Sequence, residues 1–143
     1  LAMVGLVLIA LSFSWWQTWF TIAIVFGILS AILDGYVIYY LFDYGLALSG
    51  FVMIALLRET ILKQRSWRGL LALLTTFTLS FLWRLSMHVI SGVLYFEVDW
   101  LGSFLYNITY LLPSFLLSLV AVIALYYSNL TSVIRNLTME SMV

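Results

Sequence analysis

Cysteine is absent from the chain, histidine and proline occur once each, and only 8% of the residues are charged. Without cysteine there is no disulfide, no zinc–thiolate centre and no cysteine-held iron–sulfur cluster. A single histidine cannot supply both axial ligands of a bis-histidine haem. Soluble domains carry about 25% charged residues and about half apolar ones, so a chain with this little charge cannot cover a surface facing water. The formal net charge is zero, which argues against nucleic acid as a partner. No cofactor and no metal are expected.

What is present is apolar. Hydrophobic residues make up 65% of the 143 positions and the mean hydropathy is +1.15. The composition predicts an all-α, polytopic membrane helix bundle. Five candidate segments lie between charged or turn-like breaks, at 1–13, 17–33, 40–57, 69–96 and 101–127. A spanning helix needs about 20 apolar residues, so 1–13 reads as clipped. The segment 69–96 is long enough to tilt or to extend past the bilayer. The chain opens Leu-Ala-Met-Val-Gly-Leu, with no initiator Met and no basic n-region, which is unlike a cleaved signal peptide. It reads as starting partway through something longer. Residues 1–143 read as a single membrane domain, with 128–143 a short amphipathic or irregular tail.

Basic residues set the orientation. Arg58, Lys63, Arg65 and Arg68 crowd the loop 58–68, and Arg135 lies two crossings later. That loop and the C-terminus are therefore expected in the cytoplasm. Asp34, Asp43, Glu97 and Asp99 fall on the opposite, outer side. Counting back places residue 1 outside, whereas a bacterial inner-membrane protein more often begins in the cytoplasm, so one earlier helix is expected. Trp15, Trp16, Trp19, Tyr36, Tyr39 and Tyr40 suit the aromatic belts at the membrane surfaces rather than the wall of a pocket. The triplets Asn107-Ile-Thr109, Asn129-Leu-Thr131 and Asn136-Leu-Thr138 carry little information.

An ionisable side chain at the centre of a spanning helix costs at least about 2.5–3.5 kcal/mol on insertion scales, and each such group needs a partner or a wet cavity. In "RLSMHVISG", residues 84–92, Arg84 and His88 stand one turn apart on a face that also holds Ser91, Gly92 and Tyr95. Asp43 and Tyr44 open the third segment. Asn107 and Tyr110 share a face near the outer start of the fifth, beside Tyr106, and Glu97, Asp99 and Trp100 belong to the loop before it. A carboxylate, an imidazole, an amide and several rings thus gather at one end of the bundle. Rings stack on a flat guest and attract a cation through their faces, and a carboxylate neutralises it. Gly92 would let a guest approach the backbone. The plainer alternatives are a core His88 bonded to Ser91 or a carbonyl, an Arg84 that holds a carboxylate or carbonyl and steadies its helix, and an interfacial Asp43 favoured by a helix N-terminus.

Three ordered blocks narrow the choice. "DYGLALSGF" (43–51), "WRLSMHVISGVLYF" (83–96) and "FLYNITYLLP" (104–113) resemble the thiamine-binding S component of energy-coupling factor transporters, the ThiT/YuaJ family. The family pattern runs acidic-Tyr-x-Leu-Ala-Phe, then Arg-Phe-x-x-His-x-Ile-x-Gly-Val-x-Phe, then Tyr-Asn-x-x-Tyr-Leu-Leu-Pro. The resemblance covers about residues 5–127. It implies a six-helix protein, of which this chain supplies helices two to six, capturing thiamine outside and working with a membrane T component and two cytoplasmic ATPases. It carries the binding carboxylate onto Asp43, a contact to the hydroxyethyl end onto Tyr44, the thiazolium contact onto His88 with Gly92 beneath it, the pyrimidine-stacking ring onto Phe96 and the pyrimidine-binding amide onto Asn107. Two family rings are replaced, by Gly102 and by Ser30; Trp100 is expected to fill the space left at Gly102.

The main alternative within the class is an S component for a thiamine precursor or another vitamin, and outside it a structural or assembly subunit. A hydrolase would need an activated nucleophile, and nothing beyond Ser91 near His88 builds one. The topology has a direct check, because the chain lacks cysteine. Single cysteines at Gln64 and Asp99 should react with a membrane-impermeant thiol reagent from opposite faces of sealed cells, and labelling of both from outside contradicts the orientation.

Overall fold

The computed structural model of the chain describes residues 2–63, 66–128, 132–134 and 136. Among them every regular element is helical: α1 (Ala2–Ser12), α2 (Trp15–Leu33), α3 (Val37–Leu56), α4 (Arg58–Lys63), α5 (Trp67–Phe96) and α6 (Trp100–Tyr127). The protein is an all-α membrane helix bundle. α2, α3, α5 and α6 are long and apolar enough to cross a membrane, and α1 is shorter. The five expected segments correspond to α1, α2, α3, α5 and α6. At about 1.5 Å per residue, the 30 residues of α5 reach about 45 Å, well beyond a hydrocarbon core of about 30 Å. Gln64, Arg65 and Arg135, and with them both C-terminal Asn-x-Thr triplets and most of the expected tail, fall wholly or partly outside the described residues.

The helix starts are written locally. Gln17 accepts from the Ser14 backbone N–H at 3.1 Å, a capping box that opens α2. Ser66 accepts from Gly69 N–H at 3.4 Å ahead of α5. Asp99 accepts from Gly102 N–H at 2.9 Å ahead of α6. The outward faces are apolar, with Leu117 and Val120 about two-thirds exposed, as suits a lipid-facing surface.

The dry core lies at the end of the bundle that carries the basic loop. Phe115 stacks on Phe77 and Phe81 with centroids 5.2 and 4.3 Å apart. Met3, Leu6, Val7, Ala10 and Leu11 bury one side of α1 against α6 and the last turns of α3. Trp67 sits at this same end, its ring beneath the Arg68 guanidinium at 5.9 Å. The bundle's other end is built differently, and α3 is the reason.

α3 is not one regular helix. It opens with a 3-10 turn, Val37–Tyr39, continues as a π-helical stretch, Tyr40–Leu46, and is interrupted again at Gly50 and Phe51. The lower interruption packs against α5. The Ser80 hydroxyl donates to Gly50 O at 2.8 Å, and the Trp83 indole N–H donates to Leu46 O at 2.7 Å. A side chain at Gly50 would put a Cβ 2.7 Å from the Trp83 ring, a ring held in place by its own hydrogen bond. Gly50→Ala should therefore cost about 1–3 kcal/mol and lower the melting temperature in detergent. Gly5→Ala, where a Cβ meets nothing within 4 Å, should leave it unchanged or raise it.

Candidate functional site

The π-helical stretch of α3 faces a second one in α2, Phe20–Phe26. π turns are rare and concentrate at functional positions. Here they are locked together by Tyr40. Its hydroxyl donates to Ala23 O at 2.8 Å. Its ring lies between two glycines, a Cβ at either Gly27 or Gly45 falling 3.3 Å from ring carbons. Tyr40 was expected in the surface belt; the structure puts it between helices, because two side-chain-free positions leave a ring-sized slot. The α2–α3 turn uses Gly35 at φ 77°, the left-handed conformation that glycine adopts at little cost. The wide turn of α3 directs Asp43 and Tyr44 toward α5 and the end of α2.

Asp43, His88 and Arg84 form a linear array. Arg84 Nε–H donates to His88 Nε2 at 3.3 Å. Since Nε2 must then offer a lone pair, the imidazole is neutral with its proton on Nδ1, which donates to Asp43 Oδ1 at 3.0 Å. Arg84 was expected to hold a carboxylate or a carbonyl; among the described residues it bonds neither directly, and it reaches Asp43 through the ring one turn ahead of it. The His88 and Asp43 side chains retain 11% and 18% exposure, all that a ligand-sized opening leaves them. Ser91 is not the partner of His88: its hydroxyl is buried and makes no hydrogen bond among the described residues.

α6 closes the site from the other side. The Asn107 amide donates to Ser103 O at 2.9 Å and to His88 O at 3.3 Å, and its oxygen accepts from the Tyr110 hydroxyl at 2.6 Å. Both ends of the side chain are engaged, so Asn107 fixes α6 to the carbonyl of the residue that carries the imidazole. Ser103 donates to Val89 O at 2.9 Å. The two helices touch at Gly92, where an added Cβ would collide with the Ser103 hydroxyl. Small residues at a close crossing are the usual membrane solution, and this contact gives Gly92 a reason independent of any guest.

Between these elements lies a cavity of about 480 Å³, within the range of about 300–1,000 Å³ typical of small-molecule sites. Asp43, Tyr44, His88, Gly92, Phe96 and Asn107 all line it, together with Arg84, Ser91, Tyr106 and Tyr110. Trp100 does not: it stands in the first turn of α6, 63% exposed, outside the wall, and the groups that crowd Gly102 are Val98 and Asp99 instead. Gly102 itself sits under the Asp99 cap, where a Cβ would lie 3.2 Å from the carboxylate. Phe96 is half exposed at the rim, its ring 4.8 Å from that of Tyr39.

Asp34, Tyr36, Val98 and Ser103 also line the cavity, and the sequence did not single them out as site residues. Tyr36 was expected in the lipid belt with Tyr39; the tight turn at Gly35 brings it inward. Val98 is brought in by Glu97, whose φ of 53° closes α5 in the left-handed region and allows Val98 N–H to reach Gly92 O at 3.4 Å. The available sequence signal for Asp34 was its place just before a glycine at a helix C-terminus, where the macrodipole disfavours a carboxylate.

A bundle with apolar outward faces and a ligand-sized cavity at one end, lined by rings and a few charged and polar groups, is suited to hold a small solute in a membrane. The family model described as Thiamine transporter protein (Thia_YuaJ) matches residues 1–134. The chain belongs to that family: it is a multi-pass membrane protein of thiamine uptake, and a transporter rather than an enzyme. No curated protein and no solved structure matches it.

The α5–α6 contact can be tested by suppression. Gly92→Ala should cost about 1–3 kcal/mol in thermal unfolding, and adding Ser103→Gly should restore most of it, a coupling of about 0.5–3 kcal/mol. Strictly additive losses would show that the two residues do not meet.

Proposed function

We propose that this cavity binds thiamine arriving from outside the cell, and that the chain passes it on as the S component of an energy-coupling factor transporter. Residues 1–143 act as one S-component unit, with the cavity open to the outside and the loop 58–68 and the C-terminus in the cytoplasm. A membrane T component and two cytoplasmic ATPases supply the energy, as the family resemblance implies.

The observation that carries the proposal is the Asp43–His88–Arg84 array in a cavity walled by rings. Thiamine is two flat rings, a neutral aminopyrimidine and a cationic thiazolium. Asp43 Oδ1 is taken by His88, and its second oxygen is the acceptor for the exocyclic amine. The imidazole is neutral while Arg84 donates to it, so it can lie against a thiazolium without charge repulsion. Phe96 at the rim stacks on the pyrimidine. Asn107 and Gly92 keep α6 and α5 at the spacing the guest requires. Tyr44 contacts the hydroxyethyl end.

Calorimetric titration of the purified full-length protein tests this. Thiamine should bind more tightly than its pyrimidine or thiazole precursors. Asp43→Asn should weaken thiamine binding by at least about tenfold, or about 1.4 kcal/mol. His88→Gln should weaken it too, and Ser91→Ala much less. A tighter complex with a precursor would reassign the vitamin. Parental affinity in His88→Gln, with lowered thermal stability, would make the histidine purely structural.

A further inference from the structure

Asp34 occupies an unfavourable place. It is the C-terminal cap of α2, at the negative end of the helix macrodipole, where a carboxylate is destabilised. It is nevertheless held in position: the Tyr44 hydroxyl, from the turn that carries Asp43, donates to its Oδ2 at 2.8 Å. Asp34 lines the cavity, and among the described residues its other oxygen has no hydrogen-bond donor.

The charges of the wall give it a use. Asp43 faces Arg84 across the neutral imidazole, so its charge is matched within the protein. Among the described lining residues Asp34, exposed at the mouth of the cavity, is the carboxylate without a cationic partner, and it leaves the lining with one excess negative charge.

We propose that Asp34, positioned by Tyr44, is the specificity residue that selects a singly cationic guest, whereas Asp43 recognises the neutral aminopyrimidine by hydrogen bonding. This rests on the thiamine reading above and divides the work of its two carboxylates. An uncharged ring gains nothing from Asp34. A phosphate ester of the same guest loses, because its added anion cancels or reverses the attraction. The selected ligand class is therefore the free alcohol with its cationic ring, in preference to its phosphorylated forms.

The test uses three probes on the full-length protein in nanodiscs: thiamine, thiamine monophosphate, and the uncharged hydroxymethyl-aminopyrimidine half of thiamine. Asp34→Asn preserves an acceptor for the Tyr44 hydroxyl. It should weaken thiamine by about tenfold, leave the neutral pyrimidine within about twofold, and narrow the preference for thiamine over its monophosphate. Asp43→Asn should weaken thiamine and the neutral pyrimidine together, and Asp34→Glu should keep the parental preference. In the parent, added salt should weaken thiamine and spare the neutral probe, a measurement that needs no variant to fold. Equal losses for both probes in Asp34→Asn, or no loss for either, or a salt response shared by both probes, overturns the role of Asp34. Absence of thiamine binding to the parent overturns the thiamine reading itself, a result distinct from unchanged affinity in the variant.

Discussion

Charge inside a membrane protein has to be answered by something other than water, and here the answer is a single file of three side chains. Asp43, His88 and Arg84 come from two helices, and the imidazole in the middle accepts from one side and donates to the other. Removal of the ring would leave a carboxylate and a guanidinium without their common partner in a poorly solvated wall, an arrangement that costs several kcal/mol when one member of a buried pair is lost. The array therefore requires α3 and α5 to hold one relative position. The close contact of Gly50 with Trp83 and the bonds from Ser80 to Gly50 and from Trp83 to Leu46 fix that position, while the slot for Tyr40 fixes α3 against α2.

The same requirement extends to α6 by another route. Asn107 and Ser103 bond to carbonyls of α5 at His88 and Val89, so the third wall is attached to the backbone of the residue that needs aligning rather than to its side chain. Two types of contact thus divide the bundle. At the basic-loop end, stacked phenylalanines and aliphatic side chains exclude everything. At the acidic end, hydrogen bonds between helices keep a space open that apolar packing would otherwise close. Without hydrophobic segregation to drive one helix against another in lipid, small residues and interhelical hydrogen bonds decide how close they come.

Much of this was legible in the residues. The spanning segments were readable because apolar runs and charged breaks alternate at bilayer length. Asp43, His88 and Asn107 were readable because a polar group amid apolar neighbours demands an explanation. What stayed hidden depends on how the chain turns or how closely helices approach. Tyr36 and Asp34 enter the cavity only because Gly35 reverses the chain tightly. Trp100 leaves it because its side of the first turn of α6 faces outward, while Ser103 lines the cavity. The pairing of Gly92 with Ser103 follows from a helix crossing that neither block encodes alone. The π turns have no periodicity signature: nothing in the spacing of Tyr40–Leu46 marks them, and the ring lodged between Gly27 and Gly45 is a contact between helices.

Those π turns carry a consequence for how the gene can change. A π turn holds about one residue more than the α turn it replaces, and each residue of an α-helix advances the chain by about 100° around its axis. The upper part of α3 is keyed to Ala23, Asp34 and His88, and the lower part to Ser80 and Trp83. Deletion of one codon within 40–46 would restore a regular helix and rotate one set of contacts out of phase with the other. The stretch is thus a counting device: besides the contacts that Tyr40, Asp43, Tyr44 and Gly45 make, its length keeps the two halves of the helix in register.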